Sequence, residues 1–374
     1  MTTIVRVANF VSPSSGGIRT ALDALGRQYQ ALGYASVTIV PGPAGRDEAT
    51  AAGRRITLAA PPLPGSGGYR VIVDRRRLAN ALDRLAPDRL EVSDKLSLAW
   101  LGGWARRGGV PSVLFSHERL DALLRQRLPG WFPAEAVADR VNRRLAVRFD
   151  QVVCTTEWAA AEFARLGLAN LARVPLGVDL DTFHPGAADP RLRARFAGPG
   201  TALLVHAGRL APEKRPGLAI DTLAWLRAAG VRARLVVAGN GPLRAALERR
   251  AALLGVSFLG FEADRAALAR LLASADLVIA PGPVETFGLA ALEALACGTP
   301  VVAADTGAVP ELLAPGAGLA AAPTAAALGA AAARLLAGPR QAQRLAARRR
   351  AERFGWRASA AALLAVHGLG AEVH

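Results

Sequence analysis

The run Leu277-Val278-Ile279-Ala280, followed after Pro281-Gly282 by Pro283-Val284-Glu285-Thr286-Phe287-Gly288-Leu289-Ala290-Ala291-Leu292-Glu293-Ala294, decides how the chain is read. The first four residues are strand-like, Pro and Gly stop them, and the apolar stretch that follows predicts a helix over residues 289–296. A strand passing through a short loop into a helix is half of a βαβ unit. The start of such a helix has unpaired backbone N–H groups and the positive end of a dipole, so it can receive a phosphate. Glu285 stands just outside that end, and Glu293 comes a little more than two turns later, about 12 Å along a helix axis. Two acids that far apart do not share a proton. They suit separate hydroxyl-bearing parts of one extended ligand with an anionic middle.

The same grammar runs outward in both directions. Towards the amino terminus, strand-like runs at residues 4–9, 36–40, 89–92, 113–116 and 151–155 alternate with helical patterns at 17–32, 75–85, 98–107 and 134–148. Around the opening stretch, strands at 202–207, 234–238, 256–259, 277–280 and 300–303 alternate with helices at 216–229, 242–254, 266–273, 289–296 and 324–336. Alternation of this kind implies parallel sheets covered on both faces, and its double occurrence implies two doubly wound α/β domains. Pro, Gly and charge break the periodicity between residues 181 and 200. The expected division is 1–182, 183–356 and a closing segment 357–374 that crosses back to the first domain. Ligands of such sheets lie beyond the carboxyl ends of the strands, so an active cleft between two facing domains is expected.

Three further loops carry the same chemistry. The first strand leads into Ser14-Ser15-Gly16-Gly17 at a helix start, where adjacent glycines permit close approach of a ligand to the backbone. The strand at 202–207 runs into Gly208-Arg209, and Glu213-Lys214 follows; Arg209 and Lys214 can clamp a diphosphate, one as a fork of donors and the other as a compact charge. Gly239-Asn240-Gly241-Pro242 reads as a tight turn opening the next helix, with Gly239 near the nucleotide for reasons of backbone geometry. A basic clamp, two glycine-containing approaches and two spaced acids describe a site for a sugar joined to a nucleoside diphosphate. Arg209, Lys214 and helix-end amides can neutralise the leaving phosphate, so a metal is not required, and no His/Cys/Asp cluster has metal-ligand spacing. The glycine spacing is wrong for the dinucleotide fingerprint, which excludes an NAD or FAD enzyme.

Composition bounds the class. The chain of 374 residues has 46 Lys+Arg against 30 Asp+Glu, and 52% of it is hydrophobic, enough for a large core and against intrinsic disorder. Cys154 and Cys297 sit in apolar surroundings and read as buried small hydrophobes in a reducing compartment. No signal peptide or membrane-spanning run is evident, so a soluble or peripheral protein is expected. The basic excess favours anionic nucleotides or lipid head groups. Nucleic acid is not expected as a partner, since aromatic residues make up only 5% and neither finger spacing nor aromatic-bearing strands occur.

These motifs resemble the retaining glycosyltransferases of family 4, which have the GT-B fold of two facing Rossmann-like domains. The resemblance rests on Ser15-Gly16-Gly17, Gly208-Arg209 with Glu213-Lys214, Gly239-Asn240-Gly241-Pro242, and Glu285-Thr286-Phe287-Gly288-Leu289 through Glu293, and it covers essentially the whole chain. It implies a donor contact for the backbone at Gly16 and Gly17 and the diphosphate for Arg209 and Lys214. It further implies the sugar hydroxyls for Glu285 and the ribose for Glu293, with Gly239, Thr286, Phe287, Gly288 and Leu289 lining the donor. More particularly, Val5-Arg6-Val7-Ala8-Asn9-Phe10, Leu90-Glu91-Val92-Ser93-Asp94, Ser116-His117-Glu118-Arg119-Leu120-Asp121 and Pro175-Leu176-Gly177-Val178-Asp179 are similar to actinobacterial α-mannosyltransferases acting on phosphatidylinositol mannosides. Leu176 departs from the asparagine that many relatives carry, without removing a donor-binding charge. The implied donor is GDP-mannose, with no tightly bound cofactor. His117, at the start of a polar loop, is implied to touch the donor sugar as a positioning and electrostatic residue.

The acceptor side is open at this stage. Residues 61–70 followed by Arg75-Arg76-Arg77, or residues 125–132 with Arg140, Arg143, Arg144 and Arg148, put apolar side chains beside arginines. Either suits an anionic glycolipid at a membrane surface, and equally a solvated basic face. Arg344, Arg353 and residues 348–350 read as a charged helix face. The expected location is the cytoplasm or the cytoplasmic face of the plasma membrane. A transferase using another sugar nucleotide and a soluble or polysaccharide acceptor stays open, as does a non-catalytic nucleotide-sugar or anionic-lipid binding protein.

Overall fold

The computed structural model describes residues 1–11, 17–63 and 68–370, and it divides into two compact units. One unit holds Met1–Gly177 together with the closing segment from Trp356, and the other holds Val178–Gly355. Gly16 and residues 64–67 of the apolar loop, both singled out in the sequence, lie outside the described residues.

The first unit contains β1 (Thr3–Val7), α1 (Gly17–Ala31), β2 (Ala35–Gly42), β3 (Arg46–Thr50), β4 (Gly53–Ala59), α2 (Arg75–Leu85), β5 (Arg89–Val92) and α3 (Leu101–Arg107). It continues with β6 (Ser112–Ser116), α4 (Leu120–Arg127), α5 (Ala134–Arg148), β7 (Gln151–Cys154), α6 (Glu157–Ala164) and β8 (Leu171–Arg173). The sheet order is β3-β4-β2-β1-β5-β6-β7-β8, so the chain changes direction at β1, with β2 on one side and β5 on the other. Residues of β1, β5 and β6 are buried on both faces, as a parallel sheet under two helix layers requires. Helix α2 shows the local logic: Asp74 caps it by accepting from the Arg77 amide, and Leu78, Ala81 and Leu82 bury one helical stripe.

The expected all-parallel sheet needs one correction. β3 pairs antiparallel with β4 at the sheet edge, and its residues Arg46–Ala49 are exposed. A polar edge hairpin has no buried face to write a period-two pattern into the sequence, and its charges guard the edge against further pairing.

A buried polar network fixes the closing helix α14 (Trp356–Val366), which packs on α1. Arg6, on β1 and almost wholly buried, donates to Leu22 O at 2.5 Å and to Ser36 Oγ and Thr38 Oγ1, both at 2.8 Å. Tyr29 Oη donates to Glu91 Oε1 at 2.5 Å, and His367 Nε2 meets the same oxygen at 3.1 Å. Burial pushes the Glu91 carboxyl up, but the bonds from His367 and Tyr29 and the charge of Arg6 bring it below its ordinary value. Arg89 Nε to His367 O at 3.1 Å and Tyr34 Oη to Gly370 O at 2.7 Å fasten the segment further.

The second unit contains α7 (Pro190–Phe196), β9 (Ala202–Ala207), α8 (Gly217–Ala228), β10 (Ala233–Ala238), α9 (Arg244–Arg250), β11 (Ser257–Gly260) and α10 (Arg265–Ser274). After these come β12 (Leu277–Ala280), α11 (Leu289–Ala296), β13 (Val301–Ala304), β14 (Gly318–Ala321), α12 (Ala325–Leu336) and α13 (Arg340–Ala351). Its sheet, β11-β10-β9-β12-β13-β14, is parallel throughout, and the order reverses between β9 and β12. The arginines of α13 are more than a charged face. Arg344 Nη2 donates to Ala273 O at 2.8 Å and Cys297 O at 3.2 Å, while Arg348 Nη1 donates to Phe183 O at 2.8 Å and Ala296 O at 3.1 Å. Those to Ala273, Ala296 and Cys297 satisfy carbonyls left open at the ends of α10 and α11.

Candidate active site

In the second unit the strand-end loops beside the order reversal carry the predicted donor residues. β9 ends in Gly208-Arg209, and Arg209 pairs with Glu213 at 3.8 Å. Lys214 Nζ donates to Glu285 Oε2 at 2.5 Å, joining this loop to the one that follows β12. The loops abut along their backbones: a Cβ on Gly282 would lie 3.5 Å from Lys214 Cα. A third loop braces Glu285, whose carbonyl accepts from the Ala308 amide at 2.8 Å. The two ion pairs are roughly three-quarters covered, with side-chain exposures of 26% and 19% for Arg209–Glu213 and 30% and 24% for Lys214–Glu285. Water still reaches them, and their partners can be exchanged.

Gly288 stands at the start of α11 with φ +93°, and no side chain caps that end. A Cβ there would approach Val309 Cγ2 to 2.7 Å, so both the conformation and the space call for glycine. Gly288 itself offers no side-chain cap, and the start of α11 carries the positive end of the helix dipole, which suits an anion. Thr286 and Leu289 are half-buried beside it. Phe287 is buried, in edge contact with Phe354 at 6.3 Å, so its side chain serves the core. Gly239 also has an internal reason: a Cβ would come within 1.8 Å of Gly208 O, where the β9 and β10 loops pack together.

Glu293 lies on α11, 5% exposed, and Arg265 at the start of α10 donates to it through Nη2. Burial raises the Glu293 carboxyl above its ordinary value and Asp179 adds to the rise, opposed by Arg265. Arg265 also lies 4.7 Å over the Phe183 ring. The sequence reading missed Arg265. A buried acid signals that some cation must pair with it, but nothing local to Glu293 points to one from α10.

In the first unit, His117 follows β6 and is half-buried. Its ring stacks on Phe115, centroids 4.4 Å apart, and Nε2 meets Ser93 Oγ at 3.0 Å. Loss of water holds the imidazole down to about 4, Lys95 assisting and Glu91 opposing, so the ring is neutral near pH 7. The polar loop expected after it is the helix α4, and its start is capped from afar: Glu162 on α6 accepts from the amides of Leu120 at 2.8 Å and Asp121 at 3.3 Å. Glu162 also pairs with Lys95, both buried. Asp121, fully buried, takes Arg119 at 2.8 Å and Arg165 at 2.7 Å; burial raises its carboxyl, but those two cations bring it down to about 2. Asn9, beyond β1, donates to Asp94 Oδ2 at 3.1 Å and Ser97 Oγ at 2.8 Å and accepts from the Ile72 amide at 2.9 Å. Gly17 begins α1, and no atom of the described residues lies within 4 Å of where its Cβ would be, so packing among them does not demand glycine there.

Among the described residues no group of three or more His, Cys, Asp and Glu side chains is arranged to hold a metal ion. No described helix is long and apolar enough to cross a membrane.

The pattern described as Glycosyltransferase Family 4 matches residues 15–182, and that described as Glycosyl transferases group 1 matches residues 192–352. A GDP-mannose-dependent alpha-(1-6)-phosphatidylinositol dimannoside mannosyltransferase of Mycobacterium tuberculosis (strain ATCC 25177 / H37Ra) is 50% identical over 366 residues, 98% of this chain and 96% of the relative. The chain belongs to glycosyltransferase family 4. Its fold is GT-B, built from two Rossmann-like α/β units. A second relative, a GDP-mannose-dependent alpha-mannosyltransferase of Mycolicibacterium smegmatis (strain ATCC 700084 / mc(2)155), is 32% identical over 244 residues, 65% of this chain and 62% of the relative. Among solved structures, the sucrose-phosphate synthase of Thermosynechococcus elongatus has a TM-score of 0.76 at 24% identity, covering 96% of both chains. HepE of Anabaena, in complex with UDP and glucose, has a TM-score of 0.74 at 18% identity, covering 98% of both. These two share the fold.

Proposed function

We propose that this family 4 member transfers a mannosyl residue from GDP-mannose to a phosphatidylinositol mannoside, forming an α-linkage with retention. The observation that carries the reading is the 50% identity to the Mycobacterium tuberculosis enzyme across 98% of this chain. In this reading the unit of Val178–Gly355 holds the donor and the other unit the acceptor. Arg209 and Lys214 stabilise the diphosphate as it departs, with the start of α11 beside them. Glu285 orients the mannose hydroxyls and Glu293, held by Arg265, the ribose hydroxyls. The bond from the anomeric carbon to the phosphate oxygen breaks through an oxocarbenium-like state. The acceptor hydroxyl bonds to that carbon on the same face, and its proton passes to the departing phosphate oxygen. His117, being neutral, contributes a directed hydrogen bond to the sugar, with no full positive charge. This narrows the electrostatic part expected for it from the sequence.

Lys214 and Glu285 hold each other in the structure. Donor binding then exchanges partners: the ammonium turns to phosphate and the carboxylate to hydroxyls. Charged groups already facing one another need little reorganisation for that exchange, which favours preorganised transition-state stabilisation.

For the acceptor, helix α5 exposes Arg140, Arg143, Arg144 and Arg148 together with Val137 and Val147, and Trp131 just before it is 82% exposed. Cations beside apolar side chains suit a leaflet bearing anionic lipid, which supports peripheral action at the cytoplasmic face of the plasma membrane. Purified protein given radiolabelled GDP-, UDP- and ADP-hexoses, with phosphatidylinositol dimannoside in neutral or anionic vesicles, tests the whole reading. The expected product is a trimannosylated lipid from GDP-mannose, formed faster on anionic vesicles. Transfer from another donor, or only to a soluble acceptor, would overturn the mannolipid assignment. Equal rates on both vesicles would overturn the membrane reading alone.

A further inference from the structure

Two basic stretches stand out in the sequence for an anionic partner, the arginines at 75–77 and those between 140 and 148, and the fold brings one residue of each to a single cavity. The cavity, about 320 Å³, belongs to the first unit, where Arg75, Arg107 and Arg148 line it together with Leu96, Trp100 and Gly103. Its size falls within the range of small-molecule sites, roughly 300–1,000 Å³. Arg75 opens α2, Arg107 closes α3 and Arg148 closes α5. No carboxylate among the described residues forms an ion pair with any of the three. Acids of the adjoining stretches are engaged elsewhere: Asp74 accepts from the Arg77 amide at 2.9 Å, Asp83 from Trp104 Nε1 at 3.0 Å and Asp150 from the Ser112 amide at 2.8 Å.

Helix ends do not account for this gathering of charge. A cation at a helix carboxyl end complements the dipole, which explains Arg107 and Arg148 taken singly. Arg75 stands at the positive start of α2, where a cation is disfavoured, and Asp74 alone offsets Arg75, Arg76 and Arg77 there. Three guanidiniums around one small cavity also repel one another unless an anion lies between them. The floor is bare as well. Gly102 and Gly103 both lie within α3, although glycine is a poor helix former. Gly102 has a packing reason, since a Cβ would come within 2.6 Å of Arg148 O. Gly103 has none: among the described residues a Cβ would meet only Arg107 Nη1, at 3.7 Å, an ordinary contact. An apolar side completes the cavity, with Leu96 57% exposed and the half-buried Trp100 ring 5.7 Å beneath the Arg75 guanidinium.

We propose that this cavity binds the phosphate of an anionic phospholipid: Arg75, Arg107 and Arg148 hold the phosphate oxygens, and Leu96 and Trp100 take the glycerol and the first methylenes. Guanidinium forks match phosphate geometry, and an aromatic beside cations suits the boundary between head group and chain. The assignment extends the membrane reading above, on which it rests for an anionic lipid as partner, and needs nothing from the candidate donor residues. It differs from general attraction to a basic face in one respect: the space at Gly103 matters as much as the charge.

The test is calorimetric titration of the full-length protein, without sugar nucleotide, with short-chain phosphatidylglycerol and phosphatidylcholine below their micellar concentrations and with inorganic phosphate. Wild type is compared with Arg107→Gln, Arg148→Gln and Gly103→Leu, with thermal melts on each. The glutamines remove charge from exposed positions; the leucine keeps every charge, suits the helix better than glycine and fills the floor. Phosphatidylglycerol is expected to bind wild type at least about tenfold more tightly than phosphatidylcholine or inorganic phosphate. Its affinity should fall about tenfold in each glutamine variant and at least as much in Gly103→Leu. Should leucine lower the melt, Gly103→Ala, with its single methyl, is read in its place at about threefold. A merely basic face would lose affinity in the glutamine variants and keep it at Gly103; that result overturns the proposal, as does wild-type affinity in either glutamine variant. Inorganic phosphate or phosphatidylcholine binding as tightly as phosphatidylglycerol overturns the anionic-lipid assignment. Mannosyl transfer is measured apart from binding: transfer by wild type with lipid affinity unmoved in the variants removes this site alone, and the expected affinities without any transfer remove the proposed function and leave the site.

Discussion

Each unit has a lysine–glutamate pair beside its point of strand-order reversal, and the two pairs live in different media. Lys95 and Glu162 in the first unit have side-chain exposures of 5% and 0%, and Glu162 also accepts from two amides of α4. Lys214 and Glu285 in the second are 30% and 24% exposed at the side chain. A buried pair with its remaining lone pairs satisfied is a fixture: removing one partner strands a charge away from water. A pair that water reaches gains little from its own attraction and can trade partners cheaply. On the proposed function the same two residue types serve architecture in one unit and ligand exchange in the other, and the difference is solvent access.

The sharpest way to break that comparison is to remove each lysine in turn. Lys95→Met should cost about 3–5 kcal/mol of folding stability, because Glu162 is left buried and uncompensated, with loosening of α4. Chemical denaturation measures it, and a loss below about 1 kcal/mol would show that the buried pair is no fixture. Lys214→Met should do the reverse. Stability should change by less than about 1 kcal/mol, while kcat/KM for GDP-mannose falls roughly 10²–10³-fold, the range for loss of one preorganised charge at a departing group. An unaltered kcat/KM would remove Lys214 from the donor site.

His117 sharpens the comparison at smaller cost. Its imidazole titrates near 4 in the folded chain against an ordinary value of 6.5, so the unfolded state binds the proton first. Stability is then fully present above about pH 6.5 and declines as pH falls toward 4, by at most about 3 kcal/mol. His117→Ala should flatten that part of the stability profile; a profile as steep as that of wild type would contradict the depressed titration. The same variant should lower turnover roughly tenfold or more and leave donor affinity nearly unchanged, as expected for one hydrogen bond used chiefly in the transfer step. An unchanged turnover number would take the residue out of the reaction.

Strands and helices with a strong internal pattern were legible in the chain. The expected 89–92, 202–207 and 277–280 strands coincide with β5, β9 and β12, and the expected 75–85, 134–148 and 289–296 helices with α2, α5 and α11. Elements whose stability comes from elsewhere were not. β3 is a polar edge strand, β8 has only three residues, and β14 is written in Gly, Leu and Ala without a strand-like run. Helix α4 was read as a loop because its cap comes from Glu162, 41 or 42 positions away along the chain. The candidate donor motifs were visible as types and spacing. Arg265 on Glu293, Glu162 on Lys95 and His206 on Ile279 were not, since each partner arrives from a different βα unit.

By itself the sequence determined the alternation of strand and helix, the glycine at Gly288 and the placing of cations and acids in the loops after β9 and β12. Those depend on hydrophobic period and turn chemistry, which neighbours along the chain settle between them. Only the tertiary structure decided which acid meets which cation and which pair water can reach. Sheet order brings β5 beside β1 and β12 beside β9 across long stretches of chain, and the depth at which each pair then lies sets whether its charges are locked or exchangeable.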